Sequence, residues 1–402
     1  MRVLIVSSFL PYPLFSGGHI RLFNLIKELS KRHEITLVCE KRTHQTKEDI
    51  DAVRKFCKEI FVVDRKKQWS AEVVVKTAIS SLPFLLAGHT LPHMKTILTK
   101  LLKDEVFDVV HIETFYVAQN VPDTTVPIVL VEHNIEYAVY QRFVDNAPFL
   151  LKPLLQIDVE KIKYWEKKAW ENAAEVVGVS EVEAKQMRID SKVVPNGVNL
   201  SDFPYKPVRL APLAQGKNKK VEKTILFMGD FKWIQNRNTA LWILKDIWPL
   251  IEKRENKNRG RIKLLIVGKH IPNTIKKYAS QSIIFDENAS HKTSDIYKHA
   301  DILLSPIRVG GGTSYKILEA MSSGVPVVTT QLGIEGLNAK NKKHALIGQT
   351  SQELCSALVA LLDNTKLYNT IRKQARQLIE EQYSWEKITK QLEEVYDEAI
   401  KK

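Results

Sequence analysis

The residue types and spacings best suited to chemistry lie between Ser305 and Val328. An apolar run ends there in Gly310-Gly311-Gly312. Thr313 and Ser314 then open a helical pattern, and Gly324-Val325-Pro326 closes it into the next apolar run. Glycines and small hydroxyls ahead of a helix let an anion approach unpaired amides, so Gly311, Gly312, Thr313 and Ser314 read as a diphosphate cradle. Arg308 and Lys316 add positive charge beside it. Glu319 stands seven residues beyond Gly312, about two turns along, which can bring it to the cradle side. Its carboxylate can accept two hydroxyl donors at once, as a ribose diol presents them. The plain alternative is a capped helix in a glycine-rich connection.

Two weaker signals lie in the first half. Phe15-Ser16-Gly17-Gly18-His19 precedes a helical pattern, and Gly17 and Gly18 let the backbone approach a ligand closely. An ordinary tight turn reads equally well, and a dinucleotide fingerprint is absent there. Glu132-His133-Asn134 ends an apolar run, where His133 can bond hydroxyls or a phosphate or serve the fold alone.

These residues need elements to hold them. Short apolar runs alternate with helical patterns, which argues for parallel sheets built from βαβ units. The strands read as Val3–Ser7, Glu34–Cys39, Ile60–Val63, Val109–Ile112, Ile128–Glu132, Val176–Val179 and Lys192–Pro195, then Thr224–Met228, Lys263–Val267, Ile283–Phe285, Ile302–Ser305 and Val325–Thr329. Helices are expected over Gly18–Arg32, Thr239 to about Lys253, Ser294–His299, Thr313–Ser323, Gln352–Leu362 and Lys366–Gln382. Ser180 and Glu183 form a capping-box pattern. The rhythm stops where Pro204, Pro207 and Pro212 lead into a lysine-rich run. The expected organisation is a domain over 1–203, a linker over 204–223 and a domain over 224–383, with 384–402 crossing back to the first.

Composition bounds the function. The 402 residues are 44% hydrophobic, which excludes a disordered or fibrous chain. Cys39, Cys57 and Cys355 show no paired spacing, so neither a zinc site nor a disulfide framework is expected, and a reducing compartment is the default. The short apolar start reads as a strand rather than a leader, and no apolar window approaches the roughly 18 residues of a membrane span. A net charge of +14 points to anionic partners. No nucleic-acid recognition module is present. The basic run Lys253–Arg261 and the apolar, lysine-rich stretch Leu150–Trp170 read as solvated or core-packed surface, or as contact with an anionic membrane.

The stretch Ile317-Leu318-Glu319-Ala320-Met321 followed by Gly324-Val325-Pro326-Val327-Val328 resembles the donor-binding segment of glycosyltransferase family 4. Gly17-Gly18, Glu132-His133-Asn134, Pro195-Asn196-Gly197-Val198-Asn199 and Phe227–Trp233 are similar to further motifs of that family, in its exopolysaccharide branch. The resemblance covers nearly the whole chain. It implies an α/β GT-B fold, two Rossmann-like doubly wound parallel-sheet domains facing a central cleft. It further implies a retaining, metal-independent transferase that needs no cofactor beyond a nucleotide sugar donor. The acceptor would be a saccharide or a lipid-linked molecule, and the location cytoplasmic, with peripheral contact at the inner membrane face. Glu319 would bind the ribose, Gly311–Ser314 the diphosphate, and His133 the transferred sugar. Two departures stand out: Gly311 occupies the place of a first Glu, and Asp230 that of a diphosphate-binding Arg. Lys232, Arg308 or Lys316 is expected to supply the missing charge. A nucleotide-sugar epimerase or hydrolase, or a non-catalytic nucleotide-sugar-binding protein, are the alternatives.

Overall fold

Strands buried on both faces must be apolar throughout, and Val3-Leu4-Ile5-Val6 meets that demand with no exposed surface at all. In the computed structural model, which describes residues 1–187, 189–205, 222–255, 262–290, 292–308 and 313–402, this run lies in strand β1 (Arg2–Ser7). It is joined by β2 (Glu34–Lys41), β3 (Glu59–Asp64), β4 (Val109–Glu113), β5 (Ile128–Glu132), β6 (Glu175–Gly178) and β7 (Lys192–Val193). All pair in parallel in the order β3-β2-β1-β4-β5-β6-β7. The order reverses between β1 and β4, where Ser7 stands opposite Glu113. Loops leaving these two strands diverge, so the residues just beyond them border a crevice.

A second parallel sheet repeats the plan. β8 (Lys223–Met228), β9 (Ile262–Val267), β10 (Ile283–Asp286), β11 (Ile302–Ser305), β12 (Val327–Thr329) and β13 (Leu346–Ile347) take the order β10-β9-β8-β11-β12-β13. Here the reversal lies between β8 and β11. Both sheets are Rossmann-like and doubly wound. Each has its own core, one around Leu4, Val38, Val110 and Leu130, the other around Ile225, Ile266, Ile302 and Leu358.

The chain divides into Met1–Asn196 with Trp385–Lys402, and Gly197–Ser384. Residues 197–203 therefore belong with the second unit, whereas the sequence reading assigned them to the first. Val198 bridges Ser384 there, and Arg376 donates to the Phe203 carbonyl at 2.8 Å. Most of the expected linker, residues 206–221, lies outside the described residues. The closing helix, Trp385–Lys401, buries Ile388, Leu392, Val395, Tyr396 and Ala399 along one face of the first unit.

Several elements differ from their sequence readings. The expected helix from Thr239 starts earlier, as Ile234–Trp242, then widens into a π-turn over Ile243–Ile247 before Trp248–Glu255. Pro249 has no N–H to give, and the wider turn just ahead of it accommodates the ring. The helix after the glycine run begins at Tyr315 rather than Thr313, with Ser314 as its N-cap. At Ser180, the Glu183 amide donates to the hydroxyl at 3.3 Å, and the Glu183 carboxylate meets that same hydroxyl.

Candidate active site

In the first unit, the crevice edge is built by the ends of β1, β4 and β5. The helix Gly17–Leu29 starts there, and Gly18 packs against His133, the first residue past β5. A Cβ on Gly18 would stand 3.1 Å from His133 Cε1, tight enough that the ring would have to give by a few tenths of an ångström. His133 Nε2 lies 2.6 Å from Glu113 Oε1, and His111 Nε2 lies 2.6 Å from Glu113 Oε2. Glu113 is wholly buried at the end of β4. Burial pushes its carboxyl up, but the His133 charge and the hydrogen bonds from both imidazoles outweigh that and hold it well below the usual range. Burial, then Arg42, His133 and His44, lower the neighbouring His19 to about 4.

The turn carrying His133 is pinned from behind. The helix Glu136–Asp145 follows it, and its N-cap Ile135 has no side chain to offer. Glu166, from the helix Lys152–Glu171, supplies the cap instead, accepting from the amides of Glu136 at 2.7 Å and Tyr137 at 3.0 Å.

In the second unit, Lys316 and Glu319 share one face of the helix Tyr315–Ser322. Lys316 Nζ donates to Asn236 Oδ1 at 3.2 Å, and Asn236 Nδ2 donates to the Asp230 carbonyl at 2.8 Å, tying the helix to the loop after β8. Gly229 makes room, since a Cβ there would meet Asn236 Cγ at 2.7 Å. Tyr297 Oη lies 2.8 Å from the Lys316 carbonyl and 3.3 Å from Glu319 Oε2. Burial raises Glu319 to about 7 against the opposing bonds of Thr293 and Tyr297, and burial lowers Lys316 to about 8. A cation and an acid, both near their midpoints at neutral pH, therefore stand one turn apart beside the reversal of the sheet. Such a pair can meet a polyanion and a diol together. Among the described residues, no group of three or more His, Cys, Asp or Glu side chains is arranged to hold a metal ion.

Residues 15–202 match the family model of Glycosyltransferase Family 4, and residues 222–364 match that of Glycosyl transferases group 1. Together the two models take in most of the chain. The chain belongs to glycosyltransferase family 4. An uncharacterized 44.6 kDa protein in the cps region of Klebsiella pneumoniae is 22% identical over 96% of this chain and 97% of its own. Sucrose-phosphate synthase from Thermosynechococcus elongatus shares the fold at a TM-score of 0.66, with 16% identity over 99% of this chain and 98% of that one. Anabaena HepE, in complex with UDP-glucose, does so at 0.62, with 12% identity and 99% coverage of each chain. The fold is GT-B.

Within this transferase, the residues singled out by sequence fall into separate groups. Gly17, Gly18 and His133 gather at the crevice edge of the first sheet. Lys316 and Glu319 adjoin in the second unit, where Ser314 caps the helix without a side-chain bond. Thr313 is buried, its hydroxyl donating to the Gly336 carbonyl at 3.4 Å. Gly311 and Gly312 lie outside the described residues. Of the three candidate cations, only Lys316 meets the Glu319 group. Arg308 lays its guanidinium on the Trp242 ring, 3.3 Å from the centroid, and Lys232 is exposed. Asp230, in the place of the family Arg, accepts from the Lys232 amide at 2.9 Å and pairs with His270 at 3.0 Å. Sequence reasoning missed Glu113, His111 and Tyr297. The pattern His111-x-Glu113 at a strand end was a usable signal for the first two; Tyr297 sits in a helix with no local mark of its role.

Proposed function

We propose that this transferase moves a sugar from a nucleoside diphosphate sugar to a saccharide or lipid-linked acceptor, with retention, in building a polysaccharide of the cell envelope. The observation that carries the reading is the Lys316–Glu319 pair. Glu319 accepts the ribose hydroxyls, Lys316 faces the diphosphate, and the amides opening the helix Tyr315–Ser322 complete the anion site. The cps-region relative and the UDP-glucose bound by HepE support a nucleotide sugar donor and a surface-polysaccharide product.

The bond between the anomeric carbon and the leaving phosphate oxygen breaks as the acceptor oxygen attacks from the same face. The acceptor proton passes to the departing phosphate, whose growing charge is met by Lys316 and the helix amides. His133 contacts the transferred sugar. This scheme calls for no metal and no cofactor besides the donor. A thermal-shift panel of nucleotide sugars on the wild type and Glu319→Ala, followed by mass spectrometry of products, tests it. Losing hydrogen bonds to an ionised group, about 1.5–3 kcal/mol, should weaken donor binding by about ten- to a hundredfold. Unchanged binding and turnover in the variant would overturn it.

The reading extends to where the transferase works, at the inner face of an anionic membrane. No helix among the described residues is long and apolar enough to cross one. The turn ahead of the helix Lys152–Glu171 exposes Phe149 and Leu150 at 84% and 87%, and Leu154 and Ile157 continue the apolar surface beside Lys152. Such a projecting apolar tip with basic neighbours suits shallow insertion among anionic headgroups. Sedimentation with phosphatidylglycerol vesicles, reduced by added salt and by the double change Leu150→Asp and Leu154→Asp, is the expected result. Equal sedimentation of both proteins, or none with any vesicle, contradicts it.

A further inference from the structure

We infer that Glu113 is a positioning residue, a buried carboxylate that fixes which nitrogen of His133 carries the proton and so turns Nδ1 into an acceptor for a hydroxyl of the bound ligand. The inference rests on the reading in which His133 touches the sugar, but its chemistry is set within the first unit alone. Both Glu113 oxygens are occupied by imidazole nitrogens at 2.6 Å. Arg21, from the helix Gly17–Leu29, brings its Nε within 3.9 Å of the same carboxylate and anchors Nη1 on the Pro195 carbonyl at 2.8 Å. An ionised carboxylate only accepts, so each imidazole, once neutral, must keep its single hydrogen on Nε2.

The rest of the chain of bonds follows from that one constraint. His111 Nδ1 is left with a lone pair and accepts from the Tyr396 hydroxyl at 2.6 Å, which reaches β4 from the closing helix Trp385–Lys401. In the neutral ring His133 Nδ1 likewise keeps a lone pair. It lies 3.2 Å from where a Gly18 Cβ would stand, and the His133 side chain keeps 19% of its surface exposed. That atom is what His133 offers a ligand. Three elements with no local sequence connection, β4, the Gly17–Leu29 helix and the last helix of the chain, thus converge on one carboxylate and its two imidazoles. His19 and Glu136 also lie within electrostatic reach of His133.

Nitrogen-15 NMR of histidine-labelled full-length protein, in mildly alkaline buffer, tests this directly. His133→Asn and His111→Asn identify the two signals by their loss. In the wild type, both imidazoles are expected in the Nε2–H form, with Nε2 protons far downfield from bonding to a charged acceptor. Glu113→Gln replaces that acceptor with a neutral amide that cannot accept equally from both rings. The His133 signal should then move upfield or be lost to the Nδ1–H form. A wild-type His133 protonated on Nδ1 overturns the inference even if no variant folds, and so does an unchanged His133 signal in folded Glu113→Gln. The readout needs no donor or acceptor, so it stands whether or not sugar transfer is found.

Discussion

Glu319 and Lys316 hold their protons in opposite ways, and a donor should shift both. At about pH 7 Glu319 is half ionised, and hydroxyl donors from a ribose favour the carboxylate, so binding releases protons. Near pH 8 Lys316 is half neutral, and an arriving diphosphate favours the ammonium, so binding takes protons up. Calorimetry in buffers of different ionisation enthalpy, with the nucleoside diphosphate that shifts the melting point most, should show net release at and below neutrality. It should show net uptake from about pH 8 upward. Heats that do not depend on buffer would contradict this assignment. Glu319 and Lys316 were legible as candidates because their types and spacing lie within one short segment. Thr293 and Tyr297, which bond Glu319, were not, since contacts across the fold leave no pattern in the local sequence.

The elements were legible for the reason they are stable. Central parallel strands must be apolar along their whole length, so β1, β5, β9 and β11 announce themselves, while the two-residue β13 carries too little pattern to read. The caps were harder. The Glu136–Asp145 helix, which follows the His133-Asn134 turn, has no capping residue of its own because its cap comes from Glu166 on another helix. Glu166→Ala would leave two amides without that acceptor, and a loss of about 1–3 kcal/mol is expected by denaturant unfolding. Faster hydrogen exchange at the Glu136 and Tyr137 amides should accompany it. Burial raises the Glu166 carboxyl above its usual range despite those amides. The folded state therefore keeps a proton that the unfolded chain gives up. This contribution is fullest in acid and fades as pH rises from the carboxyl range through Glu166's own raised midpoint. The stability gap between wild type and Glu166→Ala should narrow over that interval.

The whole molecule is assembled from one interrupted unit and one continuous unit. The interrupted one is sealed by Trp385–Lys401, whose Tyr396 reaches His111, whose Glu393 bonds Arg32 and His33, and whose neighbour Lys402 donates to the Ala174 carbonyl. Removing residues 385–402 strips several fully buried side chains, each contributing about 1.5–3 kcal/mol. Limited proteolysis of the truncated protein should digest the first unit and spare a fragment spanning about 197–384. Equal resistance of both units would refute the sealing role. The same arrangement governs how the protein is made. The ribosome must add everything from 197 to 384 before the last helix can emerge, on the order of ten to forty seconds at about 5–20 residues per second. Throughout that interval the N-terminal sheet waits with one apolar flank bare, a natural client for chaperones, while the later-born unit is free to finish first.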